Sequence, residues 1–343
     1  MVLMASLRDW LMFSRIHTAA LTISSALLGY FLAGGQLLSW WTLAWGVFGL
    51  IFHWAGFVDN NLQDYRYDLS DPSKKHFPLG RSISPTAAVR FTIALYTVGL
   101  ALATWLSWGN VSAFFIFLTC LGFGLLYNRT NKTSLLAGVW IGLCFAPLPV
   151  FVFYLTAGTV SPLMLWVALY GFGQVFFQNA ISGSLKDLKT SEWNPLVALG
   201  AEVYPGGPSA DRSSIVANPD TLIMPARAWG FSLAVKLLAM VPLLLILFST
   251  TGSGGWFVLA FAGATGLFSM AFGFTCDMLA QTWFKNKLLK TLMTVVEILT
   301  FYAVVVAVSP VIGWSSLFLI GFSIVYFVVM NRLTWGTILT PDV

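Results

Sequence analysis

Residues 38–58 read LSWWTLAWGVFGLIFHWAGFV and lead directly into DNNLQDYRYD at residues 59–68. The first stretch contains no Asp, Glu, Lys or Arg and is long enough to cross a bilayer, which takes about 20 apolar residues. The second stretch contains three aspartates and two asparagines. An apolar span that runs into such a polar segment predicts a membrane helix with a binding site at its end.

Composition extends this prediction to the whole chain. Of 343 residues, 58% are hydrophobic and 9% are charged, against roughly 25% charged in an average soluble domain. A water-soluble fold is therefore excluded, and we expect an all-α, multi-spanning transmembrane bundle of nine or ten helices that forms one domain over residues 1–343. The candidate spans are 16–35, 38–58, 85–107, 110–127, 134–156, 160–182, 228–249, 254–275, 289–309 and 312–331.

The basic residues indicate the orientation of these spans. If the N-terminus is cytoplasmic, the connections on the opposite side contain no Lys or Arg: Gly34–Leu38, Ser107–Val111, Thr156–Ser161, Ser249–Gly255 and Ser309–Gly313. All 18 basic residues then lie on the cytoplasmic side, with Arg90 and Lys236 in adjoining helix ends. We expect an integral membrane protein with the N-terminus and the motif loops, 59–84 and 183–227, in the cytoplasm.

Three oxygen-bearing side chains follow the second span at fourfold spacing. At 100° per residue, Asn60, Asp64 and Asp68 lie at about 0°, 40° and 80° around a continuing helix. Mg²⁺ prefers such oxygens and usually takes one or two carboxylates while phosphate and water complete its shell. The stripe predicts a Mg²⁺–diphosphate site; the alternative is a solvated helix end without a ligand.

A second and weaker stripe follows the sixth span. Asn179, Gly183, Asp187 and Ser191 share a helical face at fourfold spacing. Only Asp187 among them is ionised. Glu192 lies one position later, about 100° further around a helix.

The chain resembles the UbiA superfamily of intramembrane prenyltransferases. Its signature N-[ND]-x-x-D-x-x-x-D after the second span is matched by Asn60, Asn61, Asp64 and Asp68. The similarity includes Ser14-Arg15-Ile16-His17, Phe77-Pro78-Leu79, Ser82-Ile83-Ser84 and Leu185-Lys186-Asp187-Leu188. The family's second motif, D-x-x-x-D, is matched by Asp187 but has Ser191 in place of its second aspartate.

The resemblance implies an isoprenyl diphosphate as donor and Mg²⁺ as cofactor, with Asp64, Asp68 and Asp187 in catalytic roles. Two Mg²⁺ and nearby cations would stabilise the pyrophosphate that departs from the allylic carbon. The implied ligands of the diphosphate are Arg81, Tyr127, Lys132 and Lys186. The implied ligands of the metals are Asn60, Asp64, Asp68, Asp187 and Ser191, with Asn61, Asn179 and Glu192 as further candidates.

Three functions are compatible with these residues. A transferase would pass the isoprenyl group to an aromatic or other lipophilic acceptor, whereas a membrane terpene cyclase would need no acceptor, and the altered residue Ser191 leaves that choice open. A transporter is the third, although transporters place charges near the bilayer midplane. No nucleic-acid partner is expected.

Two residues inside predicted spans have open roles. Glu297 could hold or deprotonate an acceptor, or it could be a neutral side chain hydrogen-bonded to a neighbouring helix. His53 is expected to be a packed histidine and not a catalytic base.

Overall fold

The computed structural model describes residues 5–69, 77–184, 193–205, 220–250 and 298–337. Its helices and strands are α1 (Leu7–Phe13), a 3₁₀ turn (Ile16–Thr18), α2 (Ala19–Leu32), α3 (Trp40–Asp68), α4 (Pro85–Leu106), α5 (Val111–Thr130), α6 (Ala137–Phe145), α7 (Pro147–Ala157), α8 (Pro162–Phe177), a π-helix (Gln178–Gly183), α9 (Pro195–Ala198), β1 (Glu202–Pro205), β2 (Asp220–Ile223), α10 (Ala226–Thr250), α11 (Ile298–Ala307), α12 (Ser309–Ile312) and α13 (Ser315–Trp335).

Serine and proline residues begin several of the long helices. The hydroxyl of Ser84 accepts from the backbone of Ala87, and Pro85 follows at the first helical position of α4. Ser161 and Pro162 repeat this arrangement at α8. A capping hydroxyl satisfies a backbone N–H that has no helical partner, and proline lacks that N–H altogether, so both residues favour a helix start.

Several of the expected membrane helices are present in the described residues, whereas the sixth predicted span, 160–182, contains the 16-residue α8 followed by the π-helix and is not among them. Six are long and apolar enough to cross a bilayer, namely α3, α4, α5, the consecutive α6 and α7, α10 and α13. A seventh span results if α1 and the following segment Ile16–Leu32, which meet at 53°, count as one. The predicted span 254–275 lies outside the described residues, and the total of nine or ten stays a prediction.

The described residues divide into two compact units. Unit 1 falls within Met1–Arg129, Pro147–Val160 and Ile312–Val343, and unit 2 within Thr130–Ala146 and Ser161–Val311. In unit 1, α2 packs against α3, α7 and α13, and α3 also packs against α4. Its apolar core includes an aromatic group formed by Trp45, Phe48, Phe117 and Phe151.

In unit 2, α8 is the central helix and packs against α6 and α10. The hydroxyl of Tyr170 on α8 donates to the carbonyl of Thr300, which also joins α11 to this helix. The segment 183–227 is not wholly irregular as expected, because β1 and β2 pair as an antiparallel hairpin with Glu202 opposite Ile223.

Candidate functional site

The acceptor stripe lies on one uninterrupted helix. α3 is 29 residues long and continues through Asp68, so Asn60, Asp64 and Asp68 follow one another at successive helical turns as predicted. Asn60 is 7% exposed and Asp64 is 5% exposed, whereas Asp68 is only partly covered. Such burial differs from that of a solvated helix end, since desolvated polar groups need partners.

Two buried amide atoms, one on this stripe and one on the residue beside it, have no hydrogen-bond partner among the described residues, namely Nδ2 of Asn60 and Oδ1 of Asn61. A buried group left in this state costs about 1–3 kcal/mol. The Asn61 Nδ2 atom donates to the carbonyl of Phe13 over 2.6 Å, so this residue also ties α3 to the end of α1. The unpaired Asn60 amide on the stripe and the unpaired Asn61 oxygen beside it indicate that this end of α3 is suited to a polar ligand.

This donor set fits Mg²⁺ bound to a phosphate. The stripe offers an amide oxygen from Asn60 and carboxylates from Asp64 and Asp68, and Asn60 Nδ2 remains available to a phosphate oxygen. No cluster of three or more His, Cys, Asp or Glu side chains occurs in the part of the chain that the structure describes. A carboxylate-poor site is what Mg²⁺ uses when substrate phosphates supply the remaining ligands.

Asp59, which the sequence pattern did not single out, organises the start of the stripe. Its Oδ2 accepts from the Tyr96 hydroxyl on α4 over 3.0 Å and from Asn128 Nδ2 on α5 over 2.8 Å. Its Oδ1 accepts from Gln63 over 3.2 Å. The only signal in the sequence was its position, one residue before Asn60.

The Asn128 contact also positions Tyr127, the predicted diphosphate ligand next to it. Asn128 Nδ2 donates to the carbonyl of Gly56 over 3.0 Å as well as to Asp59, so the last turn of α5 is held against α3. Tyr127 is half-buried on that turn. Lys132 is half-buried too, but it belongs to unit 2.

Arg81 lies on a turn that is anchored to α3. Leu79 and Ile83 form a short bridge and are buried in one apolar cluster with Phe13 and Val58. Gly80 has a φ of 79° and packs against the Tyr65 ring of α3, which leaves no room for a side chain. Arg81 is exposed beside it.

A further cation, Arg15, lies one helical turn before the stripe. Its guanidinium is 5.5 Å from the centroid of the Phe57 ring, and Phe57 precedes Asn60 by three residues. Arg15 has a left-handed φ of 48°, which a non-glycine residue rarely adopts. Its carbonyl lies 3.2 Å from His53 Nε2, and Thr22 Oγ1 lies 3.0 Å from His53 Nδ1. Both ring nitrogens of the buried His53 therefore have hydrogen-bond partners within the fold, which agrees with the structural role expected for this residue.

The second motif lies mostly outside the described residues, including Lys186, Asp187, Ser191 and Glu192, and Glu297 does so as well. Asn179 is described, and its Nδ2 donates to the carbonyl of Val175 over 2.9 Å. Asn179 and Gly183 belong to the π-helix, so the α-helical spacing assumed for the second stripe does not apply to them.

Asn194 fastens the chain after the second motif to the residue before it. Its Nδ2 donates to the Ser184 carbonyl over 2.6 Å, and its Oδ1 accepts from the backbone of Leu196 over 2.9 Å. One side chain therefore caps the start of α9 and also hydrogen-bonds to Ser184, the last described residue before the segment that contains Asp187. Nothing in the sequence pattern distinguished Asn194 from other turn asparagines.

Comparison with known proteins supports the predicted resemblance. Residues 22–190 match the UbiA prenyltransferase family. Protoheme IX farnesyltransferase of Azotobacter vinelandii (strain DJ / ATCC BAA-1303) is 28% identical over 170 residues, which are 49% of this chain and 52% of that protein. Protoheme IX farnesyltransferase 1 of Pseudomonas putida (strain GB-1) is 30% identical over 171 residues, again 49% and 52%. The chain spans about half the length of the curated relatives it matches.

Two solved structures share the fold over most of the chain. A UbiA homolog from Aeropyrum pernix K1, without ligand, has a TM-score of 0.61 at 16% identity, covering 85% of this chain and 98% of that one. A chain from structural work on digeranylgeranylglyceryl phosphate synthase in membranes has a TM-score of 0.58 at 17% identity, with coverages of 87% and 98%. At these identities the likeness concerns the fold alone.

Proposed function

We propose that the chain, whose residues 22–190 match the UbiA prenyltransferase family, is a member of that superfamily and transfers an isoprenyl group from an isoprenyl diphosphate to a lipophilic acceptor with the help of Mg²⁺. The acceptor is aromatic or otherwise apolar, and the reaction takes place in the lipid bilayer. The active-site mouth and the N-terminus face the cytoplasm, where the basic residues are concentrated.

The observation that carries the proposal is the stripe on α3, in which Asn60 and Asp64 are buried and the Asn60 Nδ2 atom is unpaired. Asn60, Asp64 and Asp68 hold the metal, and Asn60 Nδ2 donates to a phosphate oxygen. Bound Mg²⁺ would neutralise the charge that develops on pyrophosphate as the allylic C–O bond breaks. Asp187 and Ser191 hold the second metal, and Arg81, Tyr127, Lys132 and Lys186 bind the diphosphate.

The names of the curated relatives suggest which substrates to try first. Both are called protoheme IX farnesyltransferases, so farnesyl diphosphate and protoheme IX are the leading donor and acceptor. Haem is a flat aromatic macrocycle that fits the lipophilic class expected from the sequence.

The first experiment incubates the purified, detergent-solubilised protein with labelled geranyl, farnesyl and geranylgeranyl diphosphates, each with and without protoheme IX and with a panel of phenols and quinones. We expect prenylated product that needs both an acceptor and Mg²⁺ and that disappears on chelation with EDTA. Cyclic product without an acceptor would assign the chain to the cyclases, an alternative that the altered residue Ser191 leaves open. Failure to consume any diphosphate would contradict both enzymatic functions.

Variants of α3 test the stripe itself. Asp64→Asn should lower kcat/KM by about 100-fold or more, because a metal-held pyrophosphate is worth several kcal/mol and each 1.4 kcal/mol is tenfold. Arg66→Gln is the matched control, since Arg66 is exposed two residues later on the same helix. Equal turnover of Asp64→Asn and the unmodified protein would rule out the metal site on α3.

A further inference from the structure

Two buried hydroxyls lack partners in the seam where α2 packs against α13, and both helices belong to unit 1. Ser24 on α2 is 0% exposed, and its Oγ forms no hydrogen bond with the described residues. The phenolic oxygen of Tyr326 on α13 is also buried without a partner among them. An unpaired polar group is costly inside a bilayer, because no water is present there to bind it.

Ring contacts on both sides of Ser24 show that this residue faces α13. The centroid of the His17 ring lies 5.8 Å from that of Trp335. The centroid of the Phe31 ring lies 6.2 Å from that of Phe318. Ser24 lies seven residues from both His17 and Phe31, which is about two helical turns, so the three side chains share one face. The seam therefore has an aromatic contact at each end, with Ser24 midway between them.

Tyr326 lies at the same depth as Ser24 on the opposing helix. Its ring centroid is 5.5 Å from that of Phe322, which stacks at 5.8 Å on Phe318, the residue that contacts α2. Ser24 is the middle residue of the segment Ile16–Leu32, and Tyr326 is one residue from the middle of α13. Because both segments belong to candidate membrane spans and the apolar core of a bilayer is about 30 Å thick, the two hydroxyls lie near its centre.

Other buried serines of this chain bond to their own helices. The Ser232 hydroxyl donates to the carbonyl four residues earlier, which is the usual bond of a serine inside a helix. The Ser323 hydroxyl on α13 donates to the carbonyl of Ile320. Ser24 makes no such bond. Its hydroxyl is therefore available to a polar group that enters the seam.

We propose that Ser24 and Tyr326 bind the carbonyl or hydroxyl oxygen of a neutral lipophilic molecule, such as a quinone or a long-chain alcohol. Hydroxyls donate to a carbonyl and also accept from an alcohol, and neither side chain carries a charge that would hold an anion. Phospholipid ester carbonyls lie at the membrane surface and do not reach this depth. The seam is separate from the stripe on α3, because Thr22, which contacts His53 of α3, lies about 160° from Ser24 around α2. The inference therefore goes beyond the proposed function.

Photolabelling of the purified, detergent-solubilised protein with azioctanol, a lipophilic alcohol that crosslinks on irradiation, tests the seam. Mass spectrometry should locate the label on α2 and α13. Excess decanol or decylbenzoquinone should compete with the probe, whereas decane, which has the same chain but no oxygen, should not. Ser24→Ala and Tyr326→Phe should each lower the labelling of these helices about threefold to tenfold at limiting probe, as expected for the loss of one hydrogen bond.

Ser323→Ala is the matched control and should be labelled like the unmodified protein, because the Ser323 hydroxyl already donates to a backbone carbonyl. Neither Ser24→Ala nor Tyr326→Phe should lower the melting temperature, since the hydroxyl that each removes has no partner. A lower melting temperature would show a structural role and overturn the proposal. Labelling unchanged in both variants, equal competition by decane and decanol, or no label on α2 and α13 would also overturn it, the last if a bound water alone satisfies the two hydroxyls. None of these results depends on prenyl transfer.

Discussion

Asp59 shows how one carboxylate can support a candidate binding site to which it contributes no ligand. It is 7% exposed and accepts hydrogen bonds from side chains on α3, α4 and α5. Because Asn60 is the next residue, the orientation of the first proposed metal ligand depends on this network. The pattern of apolar spans and motif residues predicted Asn60 and Asp64 but not the donors Tyr96 and Asn128, which are distant in sequence.

Replacing Asp59 should therefore cost stability in proportion to the bonds that are lost. We expect Asp59→Ala to lower the free energy of unfolding by about 2–4 kcal/mol, because it removes the carboxylate that accepts from the Tyr96 hydroxyl and from the buried Asn128 amide. Asp59→Asn keeps one acceptor oxygen, so its loss in free energy of unfolding should be less than half of the loss in Asp59→Ala. Thermal unfolding in detergent measures both, with Gln63→Ala, which removes only the more exposed 3.2 Å bond, as the control. Equal melting temperatures for the alanine and asparagine variants would contradict this order.

Substitutions of His53 can show whether this residue has a structural or a catalytic role. It holds the left-handed turn at Arg15 through one ring nitrogen and contacts Thr22 through the other. His53→Leu should lower stability by about 1–3 kcal/mol, since both bonds are lost, yet kcat of the folded fraction should change less than threefold. Thr22→Val, which removes one of the bonds and keeps the shape, should cost about 1 kcal/mol. A large fall in kcat for His53→Leu with normal stability would instead identify a base.

At the scale of the helix, a glycine at a contact point allows two helices to pack closely. Gly29 on α2 faces the Pro149 carbonyl of α7, where a methyl group would lie inside van der Waals contact, whereas Gly122 on α5 has open space around it. Apolar sequence alone does not distinguish these glycines, because both lie within predicted spans.

The two glycines should respond in opposite directions to alanine. Gly29→Ala should destabilise the protein by about 1–3 kcal/mol, as expected for overpacking. Gly122→Ala should stabilise it by up to about 1 kcal/mol, because alanine favours the helix. Melting temperatures of the two variants provide the comparison, and a stable Gly29→Ala protein would show that α2 and α7 can separate.

At the scale of the whole molecule, the distribution of Lys and Arg predicts the topology. The connection at Trp108, which is 84% exposed, should face away from the cytoplasm, and that at Leu136, which is 53% exposed, should face into it. In a variant without Cys120, Cys144 and Cys276, single cysteines at these positions can be labelled in intact bacterial spheroplasts with a membrane-impermeant maleimide. We expect labelling at 108 and none at 136 until the cells are lysed. The reverse pattern would invert the proposed orientation.

Local pattern and tertiary contact explain which features could be predicted. Hydropathy predicted the helical class and the bounds of α4 to within about a residue, because serine and proline mark its start. The stripe on α3 also followed from spacing, since one helix continues through it. The burial of Lys236, the left-handed turn at Arg15 and the hairpin between β1 and β2 depend on contacts between distant residues. No local pattern encodes such contacts.

The π-helix at Gln178–Gly183 has a consequence for comparing this chain with its relatives. A turn closed by i→i+5 bonds contains one residue more than an α-helical turn, so the segment behaves as a single-residue insertion relative to a regular helix. An alignment with a relative whose corresponding helix is regular should open a one-residue gap between positions 178 and 183. Without that gap, every residue upstream on α8, including Gln174 and Phe177, would be matched to a neighbour about 100° away around the helix.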